Sequence, residues 1–281
     1  LAKAYLENKA LVMDGEWNYD SCGLGWECHF EPLSVCSAEQ VRAQGVRLHL
    51  RNDAIHYNVP HAENSHFIPL NLSGSSHGVL WWRSQLTAFL LRPNHILRRH
   101  LRNVKNLIGY SSNCIGVQVR RGDSCAHASS STIRPNCQPV SKYLDLVRAM
   151  QTRYGVREVY LATDDQAVVS EFESASYRED WRLVRLNIDR NLFDSSLFIE
   201  YRLMLGYVDS KTVSDATMVD LLLLAEAEYF IGGFGSHFSR VAFELSVGWK
   251  GRVPAYASVD YPWCFHFLEK RPIGPYPMQF C

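Results

Sequence analysis

The chain has 281 residues, 29 basic against 29 acidic, with 47% hydrophobic and 12% aromatic content. That much apolar material excludes a disordered chain, and the length suits two ordinary domains or one large α/β unit. A formal charge of zero argues against nucleic acid or acidic membrane binding through bulk charge, so any anion has to be held by a local site.

No apolar run reaches the roughly 18–20 residues that span a bilayer. The densest, residues 221–225, is bracketed by Asp220 and Glu226. The chain opens on Leu1 and reads as an interior piece of a longer precursor, with a signal or anchor expected upstream. Its eight cysteines form no CxxC pair and no zinc-type spacing. An even number spread over loops suits disulfides and a secretory lumen, and the sequon Asn71-Leu72-Ser73 points the same way. Reduced thiols in the core of a cytosolic enzyme are the alternative.

In chain order, residues 1–7 read as the tail of a helix and 10–13 as a strand. From 15 to 93 the texture is turns, Trp, His and Pro, with 81–91 the one clear helix. Asn94 caps a helix to Ile108 with Leu97, Leu101, Val104 and Ile108 on one face; Arg98, Arg99, Arg102 and Lys105 make a solvated outer face. After Gly109 the rhythm turns regular. Strands are expected at 115–119, 159–162, 181–186 and 229–232, and helices at 139–154, 166–175, 215–228 and 236–247. Alternation of this kind predicts a doubly wound parallel sheet, divided from the first part of the chain near Gly109.

Ligands of open α/β sheets bind beyond the carboxyl ends of the strands. Three clusters sit there: Gln118-Val119-Arg120-Arg121-Gly122-Asp123, Thr163-Asp164-Asp165, and Gly232-Gly233-Phe234-Gly235-Ser236-His237. The glycine-rich turn lets backbone approach a ligand, and the helix after it offers N–H groups with Ser236 as N-cap or phosphate donor. A capped strand-to-helix turn is the plainer reading. Arg120 forks two donors toward a diphosphate; a bridge to Asp123 would account for one of the two arginines more readily than for both. Asp164 and Asp165 suit either a metal or a helix cap, the cap being the commoner use.

Together these runs resemble the GDP-fucose-dependent fucosyltransferases: Ile115 to Asp123, Val159 to Asp165, and Phe234-Gly-Ser-His-Phe-Ser-Arg-Val-Ala-Phe-Glu244. Within that superfamily they most resemble the α-1,6-fucosyltransferases of the N-glycan core. Upstream, Trp17-Asn-Tyr19, Gly25-Trp26-Glu27, Phe30-Glu-Pro32 and Trp81-Trp82-Arg-Ser-Gln85 agree. The resemblance implies a GT-B-like enzyme of two Rossmann-like lobes, the first (1–109) incomplete and on the acceptor side, the second (110–250) binding GDP-fucose without a metal or other cofactor. Residues 251–281 are then a tail, and the setting is the secretory lumen, expected to be the Golgi.

By the same resemblance Arg120 binds the diphosphate and assists GDP departure. Arg121, Gln118, Asp165, Gly235, Ser236 and His237 line the donor, Asp220 meets the guanine edge and Tyr19 lies against the nucleotide. Asp123 and Asp164 organise the loop at the reacting carbon. The chain departs from the family where Lys and Glu would follow Asp123, having Ser124 and Ala128 instead. His127 and Asp123 are then the candidates for the base. Cys36, whose family partner lies upstream of Leu1, is expected to be unpaired or bonded differently. Transfer to a chitin-like or protein acceptor, and GDP-sugar or glycan binding without catalysis, are the competing functions.

Overall fold

The computed structural model describes residues 11–12, 17, 19, 22–43, 78–126, 137–193 and 197–263. The expected helix at 1–7, most of the strand at 10–13, His127, Cys264 and Cys281 lie outside them. The helices are α1 (Ala38–Ala43), α2 (Gly78–Leu90), α3 (His95–Ile108), α4 (Gly122–Ala126), α5 (Val140–Tyr154), α6 (Gln166–Glu179), α7 (Ile199–Met204), α8 (Ser210–Glu226) and α9 (His237–Lys250). The strands are β1 (Ile115–Val119), β2 (Glu158–Thr163), β3 (Arg182–Arg185), β4 (Tyr229–Gly232) and β5 (Ala255–Ser258). They form one parallel sheet in the order β3-β2-β1-β4-β5.

Alternation along the strands feeds a core on each face. On one, Ile115, Val117, Val119, Val159, Leu161 and Ile231 pack against α5 and α6 through Val147, Met150, Val168 and Phe172. On the other, Tyr160, Ala162 and Phe230 meet Leu222, Leu223 and Phe243 of α8 and α9. Helices cover both faces, so the sheet is doubly wound as expected. Its order reverses between β1 and β4, which makes that pair the topological switch point.

Local signals explain where elements stop. Asn94 accepts a hydrogen bond from the Leu97 amide and Gly109 closes α3 in the left-handed region; Gly155 does the same for α5. Short helices α1, α4 and α7 are unexpected, and two longer-range differences have a clear cause. Helix α8 starts at Ser210 because Asp209 accepts from the Thr212 amide, a cap hidden from periodicity by the polar turn after it. Strand β5 lies in the segment read as a tail and pairs with β4 through Tyr229↔Ala255 and Gly232↔Ser258.

Helices α2 and α3, upstream of the expected division at Gly109, join the packing on the α8/α9 face. Leu97 and Leu101 of α3 enter that core. Helix α2 is pinned to α9 by a carboxylate: buried Glu244 pairs with Arg83 (3.0 Å) and accepts from Thr87 (3.1 Å) and from the Trp263 indole (3.2 Å). Close approach at this seam depends on Gly248, where a Cβ would sit 2.5 Å from the Ser84 carbonyl oxygen and 2.7 Å from Ala88 Cβ. Disulfides join Cys22 to Cys28 and Cys125 to Cys137. The second ties α4 to the approach of α5. Cys36 carries no disulfide, and Cys114 is a buried thiol.

Candidate functional site

All five strands point their carboxyl ends at one edge, and the register decides which residues meet there. Val119 lies opposite Thr163, so Arg120 and Asp164 leave the sheet side by side. The Arg120 guanidinium donates to Asp164 from Nη1 and to Asp123 from Nη2. Asp164 also accepts from the Arg121 amide at 2.8 Å. Arg121 reaches Asp165 at 3.3 Å, and Asp165 caps α6 by accepting from the Ala167 amide at 2.7 Å. Both arginines are thus paired with aspartates, where the sequence suggested such a bridge for one. The turn is tight: a Cβ on Gly122 would come within 2.6 Å of the Asp164 carboxylate and 3.3 Å of the Phe193 carbonyl oxygen.

The electrostatics hold Arg120 in place. Burial works against its charge, but Asp164 and Asp123 outweigh it and raise its pKa. Burial pushes the Asp164 carboxyl above its ordinary value, with Arg120 and the Arg121 amide acting the other way. The Arg120 side chain keeps 28% of its surface open. Two of its five N–H donors go to the carboxylates, leaving others to meet an anion in a fixed orientation.

The second half of the site follows β4. Gly232 lies opposite Ser258, so the glycine-rich turn runs beside the end of β5. Asp260 accepts from the amides of Phe234 (2.7 Å) and Gly235 (2.9 Å) and from the Ser258 hydroxyl (2.9 Å), which fixes the turn. Ser236 precedes α9 without a side-chain capping bond, and His237 is exposed at the first helical position. Gln118, expected to line the donor, is buried and accepts from the Ser239 hydroxyl at 2.5 Å. It ties β1 to α9 beneath the crevice.

Tyr19 lies where the charges of Arg120 and Asp123 reach it. It packs against Trp17 and against the small core of Ile199, Leu203 and Val213. Burial, Glu200 and Asp123 push its hydroxyl up to about 12, against the pull of Arg120. Asp220 lies on α8, over the sheet face that carries Tyr160. It accepts from the buried Tyr160 hydroxyl at 2.5 Å, and burial raises its carboxyl to about 7 while that bond and Arg190 act to lower it.

Three residues of this edge escape sequence reasoning. Arg190 is buried and donates to the carbonyls of Thr163, Ile188 and Leu186, stitching the ends of β2 and β3 together. Asp260 stood in a segment with no expected strand, and Glu200 on a helix too short to show a period. Among the described residues no group of three or more His, Cys, Asp or Glu is arranged to hold a metal ion. The aspartates of the crevice are directed at guanidiniums and backbone amides.

Residues 1–260 match the family described as alpha-(1,6)-fucosyltransferase N- and catalytic domains. The alpha-(1,6)-fucosyltransferase of Drosophila melanogaster is 23% identical over 273 residues, covering 86% of this chain and 39% of the fly protein. The chain therefore spans about two fifths of that relative's length. Solved structures with similarity include POFUT1 in complex with GDP-fucose, at TM-score 0.44 and 12% identity over 62% of this chain and 48% of that one. Fucosyltransferase NodZ from Bradyrhizobium has TM-score 0.44 and 15% identity over 85% and 83%. The family match takes in the whole sheet, the arginine turn, the paired aspartates and the glycine-rich turn. The chain belongs to the α-(1,6)-fucosyltransferase family.

Proposed function

We propose that this protein transfers fucose from GDP-fucose, with inversion, to a glycan hydroxyl, the acceptor being O6 of the innermost N-acetylglucosamine of N-glycans. The observation that carries the reading is the Arg120 guanidinium, held by Asp123 and Asp164 at the switch point of a parallel sheet, beside a glycine-rich turn that opens a helix. A GT-B-like pair of lobes, with donor and acceptor meeting in the crevice, is the architecture this implies. A secretory setting, the Golgi, fits the two disulfides.

As the bond from fucose C1 to the phosphate oxygen breaks, negative charge collects on GDP. A guanidinium already oriented by two carboxylates stabilises that charge without reorganising. The remaining requirement is a group that takes the proton of the acceptor hydroxyl as the new bond forms. In this reading Ser236 and His237 meet the phosphates, Asp220 the guanine edge and Tyr19 the nucleotide. The reaction is proposed to need no metal.

Purified protein is to be offered GDP-fucose with a panel of acceptors: an N-glycan, a chitin oligosaccharide and a folded protein domain. The expected result is a fucosylated N-glycan with a 1,6 linkage, undiminished in chelator. Fucose on another acceptor overturns the acceptor assignment. GDP-fucose bound without turnover on any acceptor supports the non-catalytic reading, which Ser124 and Ala128 motivate.

A further inference from the structure

An inverting transfer needs a base on the open side of the crevice, and the described carboxylates of this edge are nearly all committed. Asp123 and Asp164 hold Arg120. Asp165 is shared between Arg121 and the cap of α6. Asp220 is bound by Tyr160, and Asp260 by the amides of the glycine-rich turn. Glu200 differs. It is exposed, and it makes no hydrogen bond or ion pair among the described residues.

Its position follows from how α7 is seated. Ile199 and Leu203 bury against Val208 and Val213, with Tyr19, Leu192 and Phe193 packed on the same small core. Arg202 donates to the Leu192 carbonyl at 2.8 Å, fastening α7 to the turn Arg190–Phe193. That turn touches the arginine loop, with the Phe193 carbonyl against Gly122. Glu200 follows Ile199 in the first turn of α7, so it rides on the element that closes over Tyr19. Its charge acts on both Arg120 and Tyr19.

We propose that Glu200 is the catalytic base of the transfer. This rests on the fucosyltransferase reading given above. The carboxylate takes the proton of the acceptor hydroxyl while its oxygen bonds to fucose C1. The bond from C1 to the β-phosphate oxygen breaks and both electrons leave with GDP, beside Arg120. The resulting carboxylic acid then returns its proton to water. An exposed carboxylate serves this role because the acceptor approaches from solvent, and because its proton has to leave after each turnover.

The test compares wild type with Glu200→Gln, Glu200→Asp and His127→Ala, using an N-glycan acceptor and GDP-fucose. Glu200→Gln should lose about 10²–10⁴-fold in transfer rate, with GDP affinity unchanged within about threefold on the same scale of effects. Glu200→Asp should recover part of the rate. Azide needs no deprotonation, so added azide should restore turnover of GDP-fucose by Glu200→Gln, giving fucosyl azide of inverted configuration. Transfer by Glu200→Gln at the wild-type rate overturns the proposal, as does lost GDP affinity without azide rescue, or azide-rescued loss in His127→Ala instead. An active wild type in any of these cases leaves the fucosyltransferase reading standing. A wild type that transfers fucose to none of the acceptors removes both.

Discussion

In a chain of zero net charge, two aspartates hold the Arg120 guanidinium and leave part of it exposed, which suits it to the proposed diphosphate site. Asp220 shows the opposite case, a carboxyl that burial keeps partly protonated near neutral pH. The unfolded carboxyl titrates near 3.8 and the folded one near 7. Between those values the unfolded chain has lost a proton that the folded chain retains. Stability carried by this group is therefore complete below about pH 4 and declines as pH rises to 7, by up to about 1.4 kcal/mol per unit. Asp220→Asn should flatten that limb in urea titrations across pH 4 to 7; an unchanged slope would mean the group titrates normally.

Among the elements, those with complete local signals were legible in the sequence. Strands β1 and β4 fall where alternation places them, and α3 and α5 end at their glycines. Strand β5 was hidden because Ala255, Ala257 and Ser258 supply little apolar pattern, although pairing with β4 decides its structure. Helix α7 has six residues, fewer than two turns, so no period could develop. The motif residues of the site were legible, but their partners were not. That Arg120 meets Asp164, or that Asp260 fixes the turn at Phe234, depends on strand register, which no local signal carries.

The α2–α9 seam gives the prediction at this scale. Gly248→Val places side-chain carbons where the Ser84 backbone stands, and backbone cannot step aside as a flexible side chain would. The expected cost is about 1–3 kcal/mol, read as a lower urea midpoint at unchanged slope. A midpoint equal to wild type would mean that α2 is not held against α9 in solution. The bridge from Cys125 to Cys137 gives another. Removing both thiols by Cys125→Ser and Cys137→Ser should cost about 2–4 kcal/mol, because the closed loop limits the unfolded chain; equal melting of the two proteins would show that the bridge contributes nothing.

In the molecule as a whole, the proposed donor site is concentrated at one edge of one sheet. β1 and β2 supply the arginine and aspartates, β4 the glycine-rich turn, and β5 the carboxylate that fixes it. Upstream helices buttress the far side of α9 rather than standing apart, so α2, α3 and the sheet make one packed body. In the proposed function, donor binding draws on this described body.

The most direct test is calorimetric titration of GDP into wild type, Arg120→Ala and Arg120→Lys at matched ionic strength. Lysine keeps a cation against Asp164 but loses the guanidinium fork, and it guards against loss of the fold in the alanine variant. Wild type should bind one GDP. Affinity should fall about 100-fold in Arg120→Ala, equivalent to about 2.7 kcal/mol, and by a smaller factor in Arg120→Lys, whose melting temperature should stay nearer to wild type. Undiminished GDP binding by a folded Arg120→Ala would contradict the placement of the donor diphosphate at this edge.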